Sequence, residues 1–180
     1  MVNSPYWYAL IPVMLVGAPP AAHATQYLSI AEAQRELFPG AASFVYRTLQ
    51  LTPAQRKAIG KAAGIMPGVN QPVWEVRGRE GRQGWLFVDR VTGKHELITY
   101  ALALDVSGTV RGLEILEYRE TYGGEIRNPG WRQQFVGKRA GSALRLGTDI
   151  RNISGATLSS RHVTDGVRRL LATYDILLRA

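Results

Sequence analysis

Apolar and polar residues follow two different periods along this chain, and the change of period lays out its elements. Over residues 72–119 the period is two. Val73-Trp74-Glu75-Val76 and residues 84–91, 97–106 and 110–118 are rich in β-branched, aromatic and aliphatic side chains, which predicts four antiparallel strands. Turn residues join them at 78–81, at Thr92-Gly93-Lys94 and at Ser107-Gly108, each connection short enough for a hairpin or tight loop. Residues 43–51 read as a further strand. Near the C-terminus the period lengthens, because Val163, Val167, Leu170, Leu171, Tyr174, Leu177 and Leu178 recur three and four residues apart while Arg161, Asp165, Arg168 and Arg169 face away. This spacing predicts an amphipathic helix that docks by its apolar stripe.

Two more helices are signalled by their starts. Ser29 with Glu32 three residues on makes a capping box ahead of residues 30–38, which end at Pro39-Gly40. Thr52 with Gln55 repeats the pattern, and Pro53 takes the first helical position, where its missing N–H costs nothing; that helix runs to about Gly60 or Gly64. Between the strands and the last helix lies a glycine-rich stretch, residues 121–147, with one short helix expected near residues 131–136. The expected fold class is α+β, an antiparallel sheet with flanking helices and a C-terminal amphipathic helix. No repeat or linker divides residues 25–180, which are read as a single domain.

The first 24 residues carry no Lys, Arg, Asp or Glu. Their apolar run, residues 6–16, is followed by Gly17-Ala18-Pro19-Pro20 and then Ala22-His23-Ala24, the small-x-small pattern of a signal-peptidase site. Residues 1–24 are therefore read as an export leader cleaved after Ala24. The run is shorter than the ~20 residues a membrane-spanning helix needs. Because residues 1–5 hold no basic side chain, an uncleaved, membrane-tethered form is the alternative.

Composition narrows the chemistry. With no Cys, disulfides, iron–sulfur clusters, thiolate zinc sites and cysteine nucleophiles are excluded. Behind the leader only His95 and His162 remain, in no ligand spacing, and no G-x-S-x-G or H-E-x-x-H occurs, so hydrolase chemistry has no support. The net charge of +8 predicts a diffuse attraction to anions. The sharpest basic run, Arg77-Gly78-Arg79-Glu80-Gly81-Arg82, reads as solvated charge at a hairpin tip. Trp74 and Trp85 lie inside strands rather than interleaved with it, so nucleic acid is not an expected partner. Asn152-Ile153-Ser154 matches a glycosylation sequon that is too short to carry weight.

One segment invites a ligand. Ser154-Gly155-Ala156-Thr157-Leu158-Ser159-Ser160 stands directly before the last helix, where small residues let an anion approach the backbone and the helix start offers unpaired N–H groups. The plainer reading is that Ser159 or Ser160 is an N-cap and Gly155 a turn residue.

Ser154-Gly155-Ala156-Thr157 also resembles the flavinylation motif of the FMN-binding domain family. That family includes the periplasmic flavin subunits of sodium-pumping NADH:quinone oxidoreductases and Rnf complexes. Glu120-Thr121-Tyr122-Gly123-Gly124-Glu125-Ile126, followed by Trp131, Phe135, Gly137 and Lys138, resembles the family's E-T-P-G-x-G loop and its W-x-x-x-F-x-G-K segment. Residues 103–116 resemble the strand pair that precedes that loop. The likeness covers about residues 97–171, departing at Tyr122, where the family usually has Pro, and at Arg151, where many members have Asp.

The resemblance implies that Thr157 carries FMN through a phosphoester. A separate flavin transferase would attach it, using FAD and a metal ion. Gly155 and Ala156 would give the phosphate backbone clearance, and the isoalloxazine would lie against the loop of Thr121, Tyr122, Gly123 and Gly124 with Trp131 or Tyr122 as an aromatic neighbour; Ser154, Ser159, Ser160 and Glu120 are the further cofactor-binding candidates. It implies an exported electron carrier of the periplasm or the outer face of the inner membrane, with a membrane or periplasmic electron-transfer partner. The alternatives are a flavin-dependent reductase with its own substrate and a non-redox periplasmic anion-binding module.

Overall fold

A computed structural model describes residues 25–120 and 123–179; the leader expected over residues 1–24, together with Thr121 and Tyr122, lies outside the described residues. The two capping boxes form as their sequences dictate. Ser29 opens α1, Ile30–Leu37, by accepting from the Glu32 N–H at 3.2 Å while its own N–H donates to the Glu32 carboxylate at 2.7 Å. Thr52 and Gln55 make the same reciprocal pair at α2, Pro53–Ala63, which ends at Gly64 with φ of 74°.

Six strands build one antiparallel sheet: β1, Thr25–Gln26; β2, Ser43–Gln50; β3, Asn70–Gly78; β4, Gly81–Thr92; β5, Leu97–Asp105; and β6, Val110–Tyr118. Their order across the sheet is β1-β6-β5-β4-β3-β2, so β2 to β6 are a meander and the two-residue β1 closes its far edge. Helices cover both faces. The last helix, α4, Thr157–Leu177, sets Val163, Val167 and Leu170 against Val73, Phe87 and Leu102, whereas α1 brings Ala33 and Phe38 onto Leu86, Ala101 and Leu116. For this reason β5 does not alternate; seven consecutive residues, 98–104, are buried. A smaller cluster of Leu51, Ile59, Ala63 and Ala172 fastens α2 to α4.

Two expectations need correction. The last helix begins at Thr157, with Ala156 at the cap and no side chain capping it, so neither Ser159 nor Ser160 is an N-cap. The reason is tertiary: Ser159 is buried with its hydroxyl 3.3 Å from the Tyr118 hydroxyl, and the buried Ser160 hydroxyl donates back to the Ala156 carbonyl at 3.0 Å. The short helix expected over residues 131–136 starts earlier, as α3, Pro129–Arg132, because the Asn128 side chain accepts from the Gly130 N–H; a 3-10 turn, Gln133–Phe135, continues it. A second 3-10 turn, Gly124–Arg127, had no signal in the sequence.

Candidate functional site

The site lies at one end of the sheet, where β4 ends at Thr92, β5 begins at Leu97 and β6 ends at Tyr118. The β4–β5 turn closes on itself through Gly93 N–H to the Glu96 carbonyl at 2.7 Å. Glu120, just past β6, then takes over its backbone: the carboxylate accepts from the N–H of His95 at 2.6 Å and of Glu96 at 2.9 Å. A Cβ at position 93 would sit 2.5 Å from that carboxylate, which is why the turn needs glycine. Burial pushes the Glu120 carboxyl up, but the N–H groups of Glu96, His95 and Lys94 outweigh it and hold the group below the usual carboxylate value. On the other side, His162 in the second turn of α4 bonds the Thr92 carbonyl through Nδ1.

The segment leading into α4 is fixed just as firmly. The Trp131 indole N–H donates to the Arg151 carbonyl at 2.8 Å and the Arg151 N–H donates to Gln134 at 2.9 Å. The chain then turns through Ser154 and Gly155, with Gly155 at φ of 80°, and the Ala156 N–H reaches the Ile153 carbonyl at 3.0 Å. Thr157 follows as the first helical residue, exposed, its Oγ1 accepting from the Asn152 amide at 3.0 Å. Gly123, at φ of 91°, packs directly on this segment: a Cβ there would lie 2.4 Å from the Ala156 Cβ and 2.6 Å from the Tyr118 hydroxyl. The two glycine-bearing segments singled out in the sequence are thus in contact.

Between the β4–β5 turn and the start of α4 opens a pocket of about 640 Å³ lined by Lys94, His95, Glu120, Gly155, Ala156 and Thr157, with Leu158 and Ser159 completing it. That volume lies within the range of pockets that hold cofactors. Three features fit a phosphate-bearing group. The first turn of α4 has unpaired N–H groups and no acidic residue, Gly155 leaves open space where a side chain would stand, and the opposite wall carries Lys94 and His95.

Of the expected site residues, Thr157, Gly155, Ala156, Ser159 and Glu120 line this pocket, Gly123 touches Ala156, and exposed Ser154 begins the turn beside it. Ser160 lies buried behind the helix start, and Gly124 opens the 3-10 turn. Trp131 is not brought to the pocket. It is 5 % exposed, packed edge-on against Phe135 at 5.1 Å, and acts by holding Arg151. Lys94, His95 and Asn152 escaped the sequence reading as site residues. Asn152 stands five residues before Thr157 and could have been noticed, whereas the β4–β5 turn reaches the pocket only through the folded sheet.

Residues 93–172 match the family model of the FMN-binding domain. Over that stretch, a little under half of its length, the chain is similar to FMN-binding domains. Among its relatives is a subunit of the Na(+)-translocating NADH-quinone reductase of Yersinia pestis, 33% identical over 135 residues, which are 64% of this chain and 49% of that protein. The same-named protein of Neisseria meningitidis is 33% identical over 110 residues, 51% of this chain and 42% of that protein. The chain therefore spans about half the length of these relatives. The fold is shared with Shewanella oneidensis NqrC, at a TM-score of 0.54 and 15% identity over 79% of this chain and 84% of that one. It is shared also with a Na(+)-translocating NADH-quinone reductase subunit from Parabacteroides distasonis, at 0.53 and 16% over 85% of each chain.

Proposed function

We propose that this chain is an exported electron-transfer subunit whose FMN is joined through its phosphate to Thr157. The observation that carries the reading is the placement of the Thr157 hydroxyl. It is exposed at the first position of a long helix, faces the pocket of the FMN-binding domain, and is the sole hydroxyl of its motif combining these features among the described residues.

The residues around it divide the work of holding a phosphoester. Asn152 donates to Thr157 Oγ1, fixing the rotamer and leaving the hydroxyl hydrogen directed elsewhere. An amide cannot take up that proton, and Thr at its ordinary pKa is a weak nucleophile. Attachment is therefore assigned to a flavin transferase, with which the Thr157 oxygen would bond to the phosphorus of the FMN half of FAD as the pyrophosphate bond broke and AMP left, the transferase taking the Thr157 proton. The N–H groups opening α4 would hold the phosphate charge, and Gly155 would leave room for it. FMN supplies the redox chemistry, accepting and releasing electrons.

The names of the relatives support a membrane-bound electron-transfer complex as the partner. Placement in the periplasm or on the outer face of the inner membrane rests on the composition of residues 1–24. Among the described residues no helix is long and apolar enough to cross a membrane.

The test is co-expression with a periplasmic flavin transferase, followed by intact-mass measurement. Wild type is expected to gain FMN less one water, Thr157→Ser to gain it in part and Thr157→Ala not at all. A wild-type chain without added mass, or a Thr157→Ala chain that keeps it, overturns the phosphoester assignment. A loaded protein that turns over a small acceptor steadily by itself would instead be a reductase.

A further inference from the structure

We propose that the β4–β5 turn is a built electropositive wall that sets the reduction potential of the flavin, with Lys94 supplying the charge and Glu120 acting as the positioning residue. The proposal rests on the reading that FMN occupies the pocket beside Thr157.

The turn is held far more firmly than a hairpin connection requires. It already closes through Gly93 N–H to the Glu96 carbonyl, yet two distant elements grip it as well. Glu120, 24 and 25 residues away, receives its backbone N–H groups, and His162, 70 residues away, bonds the carbonyl of Thr92 at its base. The two clamps come from the two segments that also build the pocket, the end of β6 and the start of α4. Turns are ordinarily the mobile parts of a sheet, so fixing the backbone of this one sets where its side chains leave the chain along the pocket rim.

Those side chains are Lys94 and His95, and both line the pocket. The one carboxylate in the pocket wall, Glu120, has its charge met by backbone N–H groups. Among the described residues the Lys94 ammonium has no ion-pair partner. Of the two charged groups in that wall, the Glu120 carboxylate is tied to the turn backbone, and the Lys94 ammonium is left as an unpaired positive charge beside the cavity. An isoalloxazine carries more negative charge reduced than oxidised, so such a charge favours the reduced form and raises the potential. Because the pocket opens to solvent, salt screens this effect.

The experiment uses the full chain loaded by co-expression with a flavin transferase, as wild type, Lys94→Gln, Lys94→Arg and Glu120→Gln. Intact mass is read first. If no variant or wild type gains flavin, the attachment reading has failed, and the titration is repeated on the reversible complex with free FMN; absence of that complex too overturns this proposal. Midpoint potentials are then measured optically at low and high salt. Lys94→Gln is expected to shift the potential negative, with the shift shrinking at high salt, and Lys94→Arg to restore the wild-type value. Glu120→Gln also removes a negative charge from the wall, which by itself moves the potential positive, so its positioning role is read in the unloaded protein, where the variant is expected to speed amide exchange at residues 94–96. A Lys94→Gln potential equal to wild type at low salt overturns the proposal. Unchanged exchange in Glu120→Gln overturns the positioning role, and if that variant fails to fold, the Lys94 pair still decides the charge.

Discussion

Two adjacent glycines show how finely the pocket is made. Gly123 has a φ of 91°, and a Cβ on it would overlap the Ala156 Cβ at 2.4 Å; Gly124 lies outside the left-handed region and has nothing within 4 Å of the same point. A left-handed conformation costs a non-glycine residue about 1–2 kcal/mol, and overpacking adds about 1–3 kcal/mol. Gly123→Ala is therefore expected to lower stability by about 2–5 kcal/mol and to reduce flavin loading, because any relief must push Ala156 and the start of α4 outward. Gly124→Ala is expected to leave both nearly unchanged. Urea unfolding and intact mass on the two variants check this contrast, which disappears if the glycine loop does not seat on the helix start.

At the scale of the element, β3 supplies a buried carboxylate that reorganises the basic hairpin tip. Glu75 is 5% exposed at its side chain and pairs with Arg47 at 2.6 Å, Arg77 at 3.0 Å and Arg82 at 3.5 Å. Arg82 also lies over the Trp85 ring at 5.1 Å. Two arginines expected to be merely solvated thus turn back onto the sheet. Burial pushes the Glu75 carboxyl up, but the hydrogen bond from Arg77 and the charges of Arg77, Arg47 and Arg82 bring it below its ordinary value. A carboxyl with a lower pKa folded than unfolded stabilises the fold above its unfolded pKa, and that contribution is lost as pH falls through the folded value. Thermal unfolding between about pH 6 and pH 3 is expected to show this loss. Glu75→Gln should be less stable at pH 7 by about 1.5–3 kcal/mol, the range for hydrogen bonds to a charged group, and should lose less on acidification; parallel pH profiles for the two proteins would refute the role.

The same scale shows what could be read from the sequence. The α1 and α2 starts were legible because capping is written within four residues. Strands β2 to β6 were legible because their turns are, whereas the two-residue β1 owes its pairing to the distant end of β6 and had no local signal. The start of α4 was not, since Ser159 and Ser160 look like caps until Tyr118 and the Ala156 carbonyl claim their hydroxyls. For the same reason, Thr157 could be named from its motif, while Lys94 reaches the pocket only through a carboxylate 26 positions further along the chain.

In the whole molecule, α4 is the part that joins everything else. Leu170 is fully buried against the sheet, Ala172 packs on α2, the Tyr174 hydroxyl donates to the Val106 carbonyl at 2.7 Å, and Arg169 pairs with Asp89, which also accepts from the buried Tyr100 hydroxyl at 2.6 Å. Leu170→Ala is expected to cost about 2–5 kcal/mol. The order of the strands says how that loss divides between folding and unfolding rates. Strands β2 to β6 are neighbours in the chain and in the sheet, so their pairing is local and fast, whereas β1 joins residue 25 to residue 118 and α4 must return from the far end of the chain. We expect the meander to form first and α4 to dock last, so that Leu170→Ala speeds unfolding and barely slows refolding in stopped-flow traces; a refolding rate that absorbs the whole loss would reverse that order. Under this order Thr157 meets Lys94, Glu120 and Gly123 only in the final docking event. A transferase that needs the assembled pocket would then modify only chains that have finished folding, and flavin content would serve as a tally of completed molecules.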